Sequence, residues 1–173
     1  KIIKAVILAA GKGKRISKYM NDKPKPLIPI FGKPLIEYPL EALSKNDVEE
    51  CIIVVGYKAE AIRNYLGEEK YTLKFRYVYN PAYENGNGIS LYTTKEIFED
   101  SEPFLVLMAD HLIDPKIVEK ALKHIDKNPL LCVDYSPKYN SQLKDATKVL
   151  VNEKGFIQNI GKNLTKWNAV DTG

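Results

Sequence analysis

Four short, continuous apolar runs punctuate the chain: Ala5 to Ala10 (AVILAA), Cys51 to Gly56 (CIIVVG), Phe104 to Asp110 (FLVLMAD) and Leu130 to Tyr135 (LLCVDY). Runs of this length, with β-branched residues and no polar alternation, are expected of strands covered on both faces. Helical patterns fall between them. Within PLIEYPLEALSK, residues Leu35, Ile36, Pro39, Leu40 and Leu43 share one stripe; Pro34 suits a first helical turn and Pro39 should kink the helix. Lys58 to Gly67 (KAEAIRNYLG) reads as a short helix closed by glycine, and Asp114 to Ile125 (DPKIVEKALKHI) as a helix with Asp114 at its N-cap and proline next. Strand and helix alternating at this spacing predict an open, mostly parallel α/β sheet with right-handed crossovers. The tail departs from this alternation. There TKVLVNEKGFIQNIG reads as two strands around an Asn-Glu-Lys-Gly turn, a hairpin or the edge of a mixed sheet.

With 173 residues and no repeat, low-complexity tract or linker, one domain covering residues 1–173 is expected. The chain begins at Lys1 rather than methionine and stops at VDTG, so it reads as a fragment of something longer. No apolar run approaches the ~20 residues of a membrane span, and no secretory signal pattern is visible, which points to a cytoplasmic domain. Cys51 and Cys132, each among apolar neighbours, read as buried reduced thiols rather than as a disulfide or metal site.

In parallel α/β sheets, ligands sit beyond the carboxyl ends of the strands, where the strand order reverses. That rule singles out GKGKR after the first run, GYKAE after the second, ADH after the third, and the turn-rich NPAYENGNGIS. Charge sharpens the choice. Residues 1–33 carry nine Lys/Arg against Asp22 alone, a balance of +8, while residues 34–173 carry 17 against 21 acids, a balance of −4. One basic segment on an acidic body suits a compact anion better than nucleic acid, whose binders spread their cations along a face or helix.

Each segment offers its own chemistry. Behind a strand, Gly11 and Gly13 let backbone N–H groups close on phosphate oxygens, although the loop is neither a Walker A motif nor a full dinucleotide fingerprint, since Ile16 stands where the third glycine belongs. In KPKPLIP, the prolines at 24, 26 and 29 are expected to hold the segment extended and fix the directions of Lys23 and Lys25. A lysine is a suitable point charge for a reacting phosphate; a solvated Pro-Lys loop is the plain alternative. Asp110, at the end of a buried strand, suits Mg²⁺ held jointly with substrate phosphate oxygens. His111 beside it is a substrate contact or a piece of local structure. Gly86 and Gly88 allow a flat ring to approach the backbone, and Asn80, Asn87 and Ser90 can hydrogen-bond a base edge; Asn87 or Ser90 as a helix N-cap is the alternative.

These residues resemble a known family. Leu8, Ala9, Ala10, Gly11, Gly13 and Arg15 fill the L-A-A-G-x-G-x-R signature of the sugar-nucleotide and related nucleotidyltransferases, and Pro24, Lys25, Pro26 and Leu27 fill its P-K-P-L partner. The resemblance implies a Rossmann-like GT-A fold, a mostly parallel mixed sheet flanked by helices, and an enzyme that joins a nucleoside triphosphate to a phosphorylated small molecule with release of pyrophosphate. The Asn-Gly-Asn-Gly-x-Ser pattern, the Asp-His pair and the ATKV, NIGK and VDTG tail resemble the CTP:inositol-1-phosphate cytidylyltransferases, often fused to a membrane-embedded phosphotransferase that makes di-myo-inositol phosphate phosphate. Phosphocholine cytidylyltransferases and sugar-1-phosphate nucleotidyltransferases are the alternatives, and a non-catalytic nucleotide-binding subunit is a third.

By the same resemblance, Arg15 and Lys25 are catalytic: Arg15, with Gly11 and Gly13, holds the triphosphate, and Lys25 neutralises charge where the two phosphates meet. The nucleotide would lie against Leu8, Ala9, Ala10, Gly11, Gly13, Gly88 and Ser90, with Mg²⁺ on Asp110. His111, Lys148 and Asp171 are nominated for the acceptor. The partners implied are CTP and a small phosphorylated substrate, with no nucleic acid and no membrane contact by this domain; a membrane domain would be a fused one.

Overall fold

The buried strand predicted first is β1, Lys4–Ala9, and it sits second from one edge of a five-stranded sheet. A computed structural model of the protein describes residues 2–13, 22–126, 128–138 and 143–173. It contains two compact units, Lys1–Asn128 and Pro129–Gly173.

In the first unit, β1 is followed by a two-residue hairpin of β2, Pro29–Ile30, and β3, Lys33–Pro34. Helix α1 covers Glu37–Ser44, strand β4 Glu50–Val55 and helix α2 Ala59–Leu66. Strands β5, Glu69–Lys70, and β6, Leu73–Tyr79, come next, then helix α3, Asn87–Tyr92. Strand β7, Phe104–Met108, and helix α4, Pro115–Leu122, complete the unit. The strand order is β5-β6-β4-β1-β7, with β6, β4, β1 and β7 parallel and β5 antiparallel at the edge. The chain steps outwards from β1 through β4 to β6, then returns to place β7 on the other side of β1. The order therefore reverses at β1, and a crevice beyond Ala9 and Met108 follows.

The core explains the order. Val6, Leu8 and Ala10 line one face of the sheet with Ile52 and Val54, under Tyr83, Leu91, Phe98 and Met108. By strand alternation, Ala5, Ile7, Cys51 and Ile53 face the other way, and all four are essentially inaccessible to solvent. Helix α1 packs on α4 and on β6. Burial also pushes the Cys51 thiol up, so it stays protonated and inert. It forms no disulfide with the half-buried Cys132.

Several expectations need correction. Helix α1 begins at Glu37, not Pro34, because Pro34 pairs with Pro29 in the hairpin. Pro39 consequently falls in the first helical turn, where an N–H has no helical acceptor, and imposes no kink. KPKPLIP is not extended throughout: Lys25–Leu27 forms a 3-10 turn closed by the Ile28 N–H donating to the Lys25 carbonyl at 3.1 Å. Strand β6 had no apolar run to announce it, since LKFRYVY is only partly buried. LLCVDY is no buried parallel strand either. Only β8, Val133–Asp134, is extended there, and it belongs to the second unit.

That second unit is an antiparallel sheet of β8 with β9, Lys148–Val151, β10, Ile157–Gly161, and β11, Ala169–Asp171, in the order β10-β9-β11-β8. The predicted hairpin is there. Strands β9 and β10 pair antiparallel, and the Asn152 side chain accepts the Lys154 and Phe156 N–H groups at 3.0 and 2.9 Å to shape its turn.

Candidate active site

The glycine loop leaves β1 at Ala10, whose carbonyl accepts the Tyr57 N–H at 2.9 Å; the Leu8 carbonyl accepts the Ala109 N–H at 3.2 Å. These bonds tie the loop's base to the carboxyl ends of β4 and β7. Gly11 is exposed, and a side chain there would meet nothing within 4 Å. Gly13 adopts φ +64°, and a Cβ on it would stand 3.1 Å from the Lys25 Cβ. The loop therefore passes directly over Lys25, a close approach only glycine permits without displacing the lysine. Arg15, the remaining loop candidate, lies outside the described residues.

The 3-10 turn aims Lys25 at the end of β7, where its Nζ is ion-paired with Asp110 Oδ2. His111 Nδ1 lies 2.9 Å from the other carboxylate oxygen, Asp110 Oδ1. Burial works against the Asp110 charge, but the hydrogen bonds of His111 and Lys25 outweigh it and hold the carboxyl well below the usual carboxylate range. The group is thus an anion at any physiological pH. A permanently ionised carboxylate at the switch point, with phosphate oxygens to complete the shell, fits a hard divalent cation such as Mg²⁺. Among the described residues no cluster of three or more His, Cys, Asp or Glu could hold a metal unaided, so phosphate oxygens would have to supply the rest.

Across the crevice, the loop after β6 is pinned from inside. Asn80 is 1% exposed; its Oδ1 accepts the Ala82 N–H and its Nδ2 donates to Ser90 Oγ, both at 2.9 Å. Asn80 is therefore committed to the loop's own shape. Ser90 is buried beside it, and Gly88 has open space around it. Neither Asn87 nor Ser90 caps α3; Gly86, at φ +97°, precedes that helix.

The structure thus brings together Leu8, Ala9, Ala10, Gly11, Gly13, Lys25, Asp110 and His111, with Gly88 and Ser90 in the first turn of α3, which the Asn80 bonds tie to β4. Lys148 and Asp171 belong to the second unit. Lys148 begins β9 and Asp171 ends β11; the Lys148–Val170 register sends their side chains to opposite faces of that sheet. Lys148 Nζ donates to the Lys162 carbonyl at 3.1 Å, and Asp171 Oδ1 accepts the Gly173 N–H at 3.0 Å.

Sequence reading missed the packing beneath the base loop. A Cβ on Gly56 would lie 2.7 Å from the Tyr83 Cβ, so the tyrosine rests on the glycine and holds the loop down on β4. A cavity of about 470 Å³ lies alongside, lined by Gly56, Lys58, Ala59, Glu60, Arg63 and Tyr79, taking in most of the GYKAE segment. The signal available in sequence was Gly56 following a buried strand.

The family model described as Nucleotidyl transferase matches residues 4–143, which hold the glycine loop, Lys25, Asp110 and the base loop. The chain belongs to that family. The bifunctional IPC transferase and DIPP synthase of Archaeoglobus fulgidus is 35% identical to this nucleotidyltransferase over 173 residues, all of the chain and 32% of the relative. The chain spans about a third of the length of such curated relatives, 32 to 37%. The inositol-1-phosphate CTP transferase of T. maritima superposes with a TM-score of 0.79 at 32% identity, covering 100% of this chain and 69% of that one. A UDP-glucose pyrophosphorylase in complex with UDP-glucose shares the fold at a TM-score of 0.80 and 21% identity, covering 100% of this chain and 74% of its own. The fold is accordingly the Rossmann-like GT-A type, a mixed, mostly parallel sheet with flanking helices. Nucleotidyltransferases of this family generally work with a divalent metal.

Proposed function

We propose that this nucleotidyltransferase joins CTP to inositol 1-phosphate, giving CDP-inositol and pyrophosphate. The observation that carries the reading is the Lys25–Asp110 ion pair beneath the glycine loop, at the one place where the strand order reverses. The choice of CTP and inositol phosphate is supported by the full-length similarity to the A. fulgidus and T. maritima proteins.

In the reaction, a phosphate oxygen of the acceptor attacks the α-phosphorus of CTP in line. The new P–O bond forms as the bond to the bridging oxygen of the β-phosphate breaks, and the electron pair leaves with pyrophosphate. The protein's part is positioning and charge stabilisation. Backbone N–H groups at Gly11 and Gly13 and the Arg15 guanidinium hold the β- and γ-phosphates. Lys25 turns from Asp110 to the two phosphates that meet at the α-phosphorus and offsets their mutual repulsion. Asp110 would hold Mg²⁺, which when bound supplies further neutralisation of the triphosphate. His111 orients the Asp110 carboxylate. The base lies against Ala9, Ala10, Gly88 and Ser90, with Leu8 packing behind. Lys148 is assigned to the inositol phosphate; Asp171, whose side chain leaves the opposite face of that sheet, is not assigned to the same acceptor. Residues 1–173 act as a single nucleotidyltransferase domain in the cytoplasm, the membrane being reached only through a fused domain.

Pyrophosphate release from CTP, measured with inositol 1-phosphate, phosphocholine and glucose 1-phosphate in parallel, tests the reading. Inositol 1-phosphate should give the highest kcat/KM. Faster release with either of the others would overturn the acceptor, and no release with any of the three would overturn the transferase reading.

A further inference from the structure

The GYKAE segment, which follows β4 directly, has no part in the reaction above, yet its backbone is strained at one residue. Lys58 stands at φ +51° and ψ 41°, in the left-handed region that a lysine gains nothing from entering. It occupies the position before α2 where Ser, Thr, Asp or Asn would cap the helix, and its side chain does not cap. Instead, Lys58 Nζ donates to the Asp22 carbonyl and is ion-paired with the Asp22 carboxylate. Asp22, itself at φ +64°, immediately precedes Lys23 and the proline-framed Lys25. Lys58 therefore ties the carboxyl end of β4 to the entry of the turn that aims Lys25.

Its neighbour Tyr57 holds the glycine loop. The Tyr57 N–H donates to the Ala10 carbonyl at 2.9 Å, and its ring lies 5.6 Å from the Nζ of Lys12, the residue between Gly11 and Gly13. The same ring lies 5.7 Å from Lys58 Nζ, so one aromatic face system and one lysine serve both segments. Each contact is weak alone, as exposed ion pairs and cation–π contacts are. Together they fix the glycine loop and the Lys25 turn to a single support, the end of a fully buried strand. The fit between those two segments is close, with 3.1 Å from a Cβ on Gly13 to the Lys25 Cβ.

Resting on the phosphate-binding role of Gly11, Gly13 and Lys25 proposed above, we propose that Tyr57 and Lys58 are positioning residues. They act through Lys12 and Asp22 to hold the glycine loop and the Lys25 turn at the separation a triphosphate requires. Ordering completed before binding costs the nucleotide no affinity. Its loss weakens ground and transition states alike, so KM rises while kcat is kept. The test uses the full chain as the native protein, Lys58→Gly, Lys58→Arg, Asp22→Ala and the Lys58→Gly, Asp22→Ala double variant. Calorimetric titration with pyrophosphate, steady-state kinetics and Tm are the readouts. Lys58→Gly should raise the pyrophosphate Kd and the KM for CTP together by about fivefold, with kcat and the KM for inositol 1-phosphate within about twofold of native. Its Tm should hold or rise, because glycine adopts the left-handed conformation freely. Lys58→Arg, which keeps the cation, should restore Kd and KM, and the double variant should bind no more weakly than Lys58→Gly alone. A native Kd in Lys58→Gly, a rise that Lys58→Arg does not restore, or a rise accompanied by a fall in Tm overturns the assignment and leaves the transferase reading standing; so do effects of Lys58→Gly and Asp22→Ala that multiply. Pyrophosphate carries neither base nor acceptor, so failure of the cytidylyl reading leaves this test intact. A native chain that binds neither pyrophosphate nor CTP overturns the phosphate site and this assignment with it.

Discussion

Lys25 shows how a single residue was legible and yet incompletely read. Its place between two prolines marked it as a directed cation, and the motif around it supplied a role. Sequence could not show that the lysine rests on Asp110, eighty-five residues away, because only the parallel pairing of β1 with β7 brings that carboxylate near. The pairing gives a sharp expectation for Lys25→Ala. Turnover should fall on the order of 10²-fold or more, since a cation at developing phosphate charge supplies several kcal/mol. Steady-state kinetics with CTP and inositol 1-phosphate check it; a native rate would refute the central assignment. Asn80 is the opposite case. Its residue type read as a reader of bases, but it is buried and both ends of its amide are spent on the loop. Burial, not residue type, decides between the two roles, and burial was not legible for an asparagine in a turn-rich stretch.

Among the elements, α1 joins α2 and β5 through one carboxylate. Glu37, 7% exposed, accepts from Tyr65 OH and from Tyr71 OH at 2.7 Å, and Lys70 Nζ lies 3.0 Å from it. Burial by itself would raise its pKa, but the Tyr65, Tyr71 and Lys70 hydrogen bonds together hold it below the ordinary glutamate value. A depressed carboxylate contributes stability that is complete above its unfolded pKa and is lost as pH falls through the folded one. Glu37→Gln should therefore cost about 1.5–3 kcal/mol at pH 7, as hydrogen bonds to a charged group do. The gap between native and variant should narrow as pH drops below about 4.3, the unfolded glutamate value. Urea midpoints across the acid range up to neutrality would show it, and a constant gap would refute it. Elements were legible where burial was two-sided, as in β1 and β4, and in β7, whose apolar run persists although Val106 is exposed at the edge of the sheet. They were lost where it was not: β6 is half-exposed, and the β2–β3 hairpin took residues whose pattern continues into α1.

For the whole molecule, the asymmetry of charge is the largest feature. The +8 balance of residues 1–33 meets a −4 remainder, and the described part of that segment holds Lys25 at the crevice. Screening by salt weakens attraction between exposed charges beyond a Debye length of ~8 Å at physiological ionic strength. KM for CTP should accordingly rise severalfold between low and physiological salt while kcat changes little; stopped assays at several salt concentrations would check this, and a salt-independent KM would contradict it. By itself the sequence determined the α/β class, three of the parallel strands, the glycine loop and the family, because continuous apolar runs and closely spaced motif residues are local properties of a chain. Tertiary structure alone decided the strand order, the pairing of Lys25 with Asp110 and the packing of Tyr83 on Gly56. Those features join residues distant along the chain, and only the packing of the sheet fixes which of them meet.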